Sequence, residues 1–443
     1  MRKTPLVAAA AAFAIVGTLT QVPAWATGPE TPTELQIGWS ATPGKIQVRW
    51  KDGGLANRIR VQYQSTSNTT ELATTAAGDA DEVLVDRHDY GLHAFEVLRI
   101  TVVTIDAAGV ESAPADSPWF DAIRPPQPQL IDAGPANDLS LLTVWQTPAV
   151  PEDTTPNDPL DRPASESVIG PELWYGWGSS NPVEAFWHPM GTTSAFVPPR
   201  PRPYPVKVAS RSEWGQPRSE GWIVFGVMNV GIKLPATAVY GKPMTVGGTA
   251  GITDCITGTA PCVPHTGANG IPVTLQTRAD ATKPWAYAGR YLAQNGPIQG
   301  VTTPVGTRQY RFYIPIQKDF TPGATLDGGT VTSPASSSVR TVTTYADFVT
   351  AKFDKSVASV GETVTASVDV RPAGTSRAAL QYFDGSVWRH SMDIALVNGK
   401  GTVSFKASGR GTTKNWRITV PAMTYNGLPI AATVSRTFPL SVR

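Results

Sequence analysis

Few side chains in this sequence are of types and spacings that do chemistry. Histidine occurs only at positions 88, 93, 188, 265 and 390. The densest polar cluster is Asp86-Arg-His88-Asp89-Tyr-Gly-Leu-His93, whose imidazoles and carboxylates could pair as acid and base or share a metal. It sits between strand-like runs, where a solvated turn is the expected structure. No catalytic residue and no metal ligand is assigned to it. The sequence has no G-x-S-x-G elbow, no H-E-x-x-H and no phosphate-binding glycine loop. Carboxylate pairs for glycoside hydrolysis are defined by separation in space, so a hydrolase stays an alternative reading. The expectation is no enzyme and no cofactor.

The two cysteines are Cys255 and Cys262, eight positions inclusive with Gly258 and Pro261 between them. In an exported chain they are expected to form a disulfide that stiffens one loop. As a metal pair they would have only His265 close by, one ligand short of a usual site.

Aromatic residues give the one positive sign of binding. Leu173-Trp-Tyr-Gly-Trp177 and Phe186-Trp187-His188 flank Gly178-Ser-Ser-Asn181. Trp174 and Trp187 could stack on a ligand face, with Asn181 and Glu184 fixing orientation by hydrogen bonds. The competing reading is that these rings pack in or over a sheet. Upstream, 150–171 is Pro-rich and acidic (Glu152, Asp153, Asp158, Asp161, Glu166) and lacks periodicity. It is expected to be a long exposed loop, and it lacks the D-x-D-x-D-G spacing of a calcium loop.

The elements that would hold these residues are strands. Arg2 and Lys3, the apolar run to Leu19 and Ala24-Trp25-Ala26 read as a secretory signal peptide over 1–26, so a secreted, extracellular protein is expected. Its removal leaves Lys plus Arg equal in number to Asp plus Glu, which speaks against whole-chain attraction to nucleic acid or anionic membrane. Forty Gly and forty Pro favour turns over helices, and the remaining chain divides into units of about 100 residues, the size of one sandwich.

In the first unit, 27–122, the runs Ile46-x-Val48-x-Trp50, Ile59-x-Val61-x-Tyr63 and Val83-Leu-Val85 alternate with period two. Leu98 to Ile105 does the same, with Ile100, Val102 and Thr104 on one face, and stops at Asp106-Ala-Ala-Gly109. A strand ending in D-x-x-G-x-E-S resembles strand F and the F–G loop of a fibronectin type III domain, and Trp50 stands where that family keeps its core tryptophan. The resemblance would place the corner tyrosine at Leu98. The second unit, 123–229, follows the stiff Arg124-Pro-Pro-Gln-Pro128 and repeats the pattern. It has Leu141-x-Thr143-x-Trp145, Leu173-x-Tyr175-x-Trp177, Tyr204-x-Val206-x-Val208 and Trp222 to Val227.

The units 230–343 and 344–443 are an internal repeat. Leu275-Gln276 pairs with Leu380-Gln381, Trp285 with Trp388, and Tyr310-Arg-x-x-x-Pro315 with Trp416-Arg-x-x-x-Pro421. These motifs resemble tandem bacterial Ig-like modules of secreted actinobacterial proteins. The expected fold is all-β, four immunoglobulin- or fibronectin-III-like β-sandwiches in tandem after the signal peptide. The expected function is a secreted, non-catalytic binding or spacer protein that contacts a cell-wall polymer, a polysaccharide or another secreted protein. An accessory of polysaccharide degradation is the alternative. The second sandwich is expected to carry the ligand contact.

Overall fold

A computed structural model describes residues 28–88, 96–149, 152–174, 182–254, 264–266, 269–324, 326–375 and 377–443. The signal-peptide segment, His93, Asn181 and both cysteines fall outside them. The described chain is all-β, with a single 3-10 turn at Ala164–Glu166 as its only helical element. It forms two compact units, one of residues 1–124 with 151–163 and the other of 125–150 with 164–443.

The first unit holds one sandwich. Strands Thr33–Trp39, Lys45–Lys51 and Glu82–Asp86 make one sheet, while Thr69–Thr75, Ala56–Tyr63, Val97–Ile105 and two short edge strands make the other. The alternation seen in the sequence becomes burial: Ile46, Val48, Ile59, Val61, Ile100, Val102 and Thr104 are fully buried, with Trp50 nearly so. Leu98 also lies fully in the core, filling with an apolar side chain the place where the resemblance would put a tyrosine. The final turn closes as expected, Asp106 Oδ1 accepting from the amides of Ala108 and Val110 and Gly109 taking φ 79°.

The acidic insert differs from its expected form. Most of its side chains are exposed, but 151–163 belongs to the first unit as a strap. Leu160 is fully buried, and its carbonyl accepts a 2.7 Å hydrogen bond from the Trp39 indole. Asp121 binds the strap from both sides: its Oδ2 accepts from the Thr154 amide, and its own amide donates to Asp158 Oδ2. One apolar anchor in a polar run leaves no periodic trace, so the sequence pattern read only as loop.

In the second unit, Ser194–Val197, Leu141–Gln146 and Gln129–Pro135 face a sheet built on Val168–Leu173, Tyr204–Arg211 and Ile223–Lys233. The core contains Trp145, Tyr204, Val206, Val208 and Phe225. Val168–Leu173 pairs with Val206–Arg211, and 175–177 of the strand expected over 173–177 lie outside the described residues.

The expected seam at 229 lies inside a strand. Ile223–Lys233 pairs with Tyr204–Val206 at one end and with Gly247–Thr253 at the other, so one nine-stranded sheet serves both sandwiches. The chain beyond Pro315 then turns back: Gly329–Thr332 pairs parallel with Ile223–Gly226, and Leu326 and Val331 enter the core of the second sandwich. Gly221 permits this return, since a Cβ there would overlap the Leu326 carbonyl.

The repeat pair is also a repeat in topology. Thr237–Val239 lies parallel to the strand Arg340–Tyr345, and Val357–Ala358 lies parallel to Phe438–Val442. The expected seam at 343 again falls in a strand, and only Ala346 separates Arg340–Tyr345 from Asp347–Phe353. The hairpin Met423–Tyr425/Leu428–Ile430 reaches back to it. Ala431 bridges Tyr345 in parallel, the Thr307 amide donates to the Pro429 carbonyl, and the Ala346 amide donates to Thr433 Oγ1. The same device thus occurs at both joints: a strand continuous or nearly so across the boundary, and a returning hairpin beside it.

Candidate ligand-contact surfaces

Trp174 and Trp187 are half-buried and engaged, while Tyr175 and Trp177 lie outside the described residues. The Arg218 guanidinium lies 5.2 Å from the centre of the Trp174 ring, and Arg218 Nε donates at 2.6 Å to the fully buried Glu172. Gln216 Nε2 donates to the other oxygen of Glu172. Trp174 therefore covers part of an ion pair whose carboxylate is fully buried while its guanidinium is 31% exposed, and the buried carboxylate needs both of its partners to offset its desolvation. Trp187 has Arg211 over its ring at 4.8 Å. Both carboxylate oxygens of Glu184 are taken by Arg200, at 2.6 and 2.8 Å. One face of each indole is thus covered by an arginine of the same sandwich, and the partner proposed for Trp174 and Trp187, Asn181, lies outside the described residues.

The other three sandwiches share an arrangement that the sequence reading did not assemble. A Gln on one strand stands directly opposite an Arg on the next: Gln62 opposite Arg99, Gln276 opposite Arg311, and Gln381 opposite Arg417. In each, Arg Nε donates to Gln Oε1, at 2.7, 2.8 and 2.8 Å respectively. A tryptophan then stacks on each guanidinium: Trp119 at 4.7 Å, Trp285 at 4.4 Å and Trp388 at 4.2 Å. The Arg always follows a buried residue (Leu98, Tyr310 or Trp416), so strand alternation aims it outward. That period-two position was the available signal. In the second sandwich the residue after Tyr204 is Pro205, which has no such side chain.

The three arginines differ in what neutralises them. Arg99 forms an ion pair with Asp116 at 2.7 Å. Arg417 makes no ion pair with an acid among the described residues, and the His390–Asp393 pair, 3.0 Å apart, stands one strand further on, His390 opposite Gln381. Arg311 has a second arginine instead. Arg278 also stacks on the same indole, its guanidinium 4.3 Å from the ring centre and its Nε donating to Gln309 Oε1.

Metal chemistry finds no centre among the described residues. No group of three or more His, Cys, Asp or Glu is placed to hold an ion. His265 uses Nε2 to meet the buried Asp254 at 2.8 Å, and Thr330 Oγ1 donates to the same oxygen at 2.9 Å.

No known protein family and no curated protein sequence matches the chain. Among solved structures, the FN1–FN3 domains of chicken CNTN1 align at 12% identity over 71% of this chain and 98% of that one, with TM-score 0.22. A two-domain fibronectin type III segment of chicken tenascin aligns at 15% identity over 42% and 94%, with TM-score 0.20. A tetra-tandem repeat from the extending region of a large adhesion protein aligns at 10% identity over 91% and 98%, with TM-score 0.26.

Proposed function

We propose that this chain is a secreted, non-catalytic spacer that holds the sandwiches of its second unit in fixed relation and contacts a cell-wall or polysaccharide surface. The supporting observation is the construction of the joints within 164–443. A flexible linker between modules would leave each core independent. Here the strand Ile223–Lys233 serves two sandwiches, and Leu326 and Val331 from beyond Pro315 complete the core of the sandwich before them. Backbone hydrogen bonds at both joints fix the modules relative to one another, which suits presentation of a surface at a set distance better than assembly of a closed pocket.

The test is retention of the exported protein on insoluble cell wall, chitin and cellulose, alongside reducing-end release from a glycan panel. Retention without release is the expected result. Release of reducing ends by the pure protein would make it a hydrolase, and loss of all retention would remove the polymer contact from the proposal.

A further inference from the structure

The chain is divided in charge. Residues 27–229 hold 14 Lys and Arg against 25 Asp and Glu, while residues 230–443 hold 21 against 10. The near-zero net charge of the whole conceals an acidic half and a basic half.

The basic half concentrates cations on one open sheet face of the third sandwich. Register sets Tyr287, Gln276 and Arg311 in one row across Ala286–Ala293, Ile271–Arg278 and Arg308–Ile314. The row Arg290, Thr274 and Tyr313 lies beside it, and Arg278 stands opposite Gln309 on the other side. The Arg278 and Arg311 guanidiniums lie 4.3 and 4.4 Å from the centre of the Trp285 ring. Tyr287 is 72% exposed. Among the described residues no carboxylate makes an ion pair with Arg278, Arg290 or Arg311, in contrast to Arg99 with Asp116. The acid closest in sequence, Asp280, accepts from the amide and hydroxyl of Thr282, and the Arg278 charge adds only the smallest of the effects that lower its carboxyl. Arg311 spends Nε on Gln276, which leaves the two terminal nitrogens of its fork for another acceptor. Burial first, and then the neighbouring Arg278, push the Arg311 guanidinium below its ordinary pKa, and a nearby anion would act in the opposite direction.

We propose that this face, formed by Arg278, Trp285, Tyr287, Arg290 and Arg311, binds an extended polysaccharide that carries carboxylates. The proposal rests on the surface-contact reading above and names its ligand class. A planar carboxylate matches the guanidinium fork in two-point geometry. The exposed Tyr287 ring offers a flat apolar surface to a sugar ring beside it. An open sheet face accepts a chain running across it, which a pocket would not. Three arginines are few for duplex nucleic acid, where binding scales with many phosphate contacts. The fourth sandwich repeats Gln381, Arg417 and Trp388, so a polymer long enough to reach it would gain a second weak contact.

Affinity electrophoresis of the full exported protein through native gels containing polygalacturonate tests this. The wild type is expected to be retarded, with retardation falling as salt rises. The double variant Arg278→Gln/Arg311→Gln should bind about tenfold more weakly or worse. Tyr287→Ala, which removes a side chain that is mostly in water, should weaken binding several-fold with unchanged thermal unfolding, and so guards against a folding defect in the arginine variant. Four results would overturn the proposal. These are an unretarded wild type, retardation equal in both variants, equal retardation by neutral dextran, and equal retardation by polyphosphate or duplex DNA at matched charge. Failure here with retention on whole wall intact would leave the spacer reading standing and move its contact to another face.

Discussion

The indole nitrogen of Trp39 donates a 2.7 Å hydrogen bond to the carbonyl of Leu160, across 121 positions of sequence. Arg162 lies over the same ring at 5.2 Å. The strap 151–163 is therefore anchored by one apolar side chain and one hydrogen bond, with Asp121 securing its start. Leu160→Ala should lower the stability of the first sandwich by about 2–5 kcal/mol, the usual cost of emptying such a site. Tryptophan fluorescence during denaturant unfolding would read it, and a change under 0.5 kcal/mol, the size typical of surface substitutions, would mean the strap is only loosely applied.

Asp158 gives the strap a pH dependence. Its carboxyl is raised by burial, against the hydrogen bonds it accepts from Leu160 and Thr155. An acid raised in the folded state disfavours folding above its folded pKa, and this cost is relieved as pH falls through that value toward the ordinary carboxyl range. Glu82, Asp86 and Glu111 of the same sandwich are shifted down, first of all by hydrogen bonds from Gln47, the His88 amide and Arg60 respectively. Their stabilisation is present above the ordinary carboxyl range and is lost as pH falls below it. Asp158→Asn removes the ionisation but sets an NH2 group against the Leu160 amide or against the Asp121 amide and the Thr155 hydroxyl, so an accepted hydrogen bond is lost at every pH. The melting temperature of the variant relative to wild type should therefore rise from about pH 4 toward neutral pH, where only wild type carries the buried charge. A difference that stays constant with pH would contradict this account.

Trp174→Ala should be costly to the fold. The ring covers Arg218, which neutralises the fully buried Glu172, and admitting water to that pair while opening a gap should cost about 2–4 kcal/mol. Thermal unfolding checks it. Unchanged stability together with lost polymer retention would instead make Trp174 a contact residue.

On the proposed export of the chain, Cys255 and Cys262 are expected to be joined to each other. A ring this short contributes at most about 2–3 kcal/mol by chain entropy, so reduction should loosen one loop and leave the sandwiches folded. Non-reducing mass spectrometry of a tryptic digest decides the pairing, and free thiols in the folded protein would contradict it.

The strands of the first sandwich were legible because its core is alternating and local: Ile46, Val48 and Trp50, or Leu98, Ile100 and Val102, each declare a face within one short run. The repeat was legible too, since Tyr310-Arg311 and Trp416-Arg417 serve the same inward and outward positions in both modules. What the pattern hid was long-range. Leu160 is one apolar residue among prolines and acids, and Leu326 sits in a polar stretch, yet each is buried by an element far away in sequence. The seams at 229 and 343 hid for a related reason. A strand that continues from one sandwich into the next keeps its alternation, so the boundary leaves no break in the sequence. The cationic face was obscured by averaging, because the acidic first half cancels the basic second half in any whole-chain charge.

The central claim is that the sandwiches of 164–443 are locked together by shared strands and returning hairpins. Hydrogen exchange on Leu326→Ala tests it most directly. Leu326 is almost fully buried in the core of the second sandwich, and its amide donates to the Leu130 carbonyl. It belongs in sequence to the third. The account predicts faster exchange in Gln129–Pro135 and Leu141–Gln146 of the second sandwich and in Gly247–Thr253 of the third, falling together. Faster exchange confined to 316–333, with both sandwiches as protected as in wild type, would contradict it.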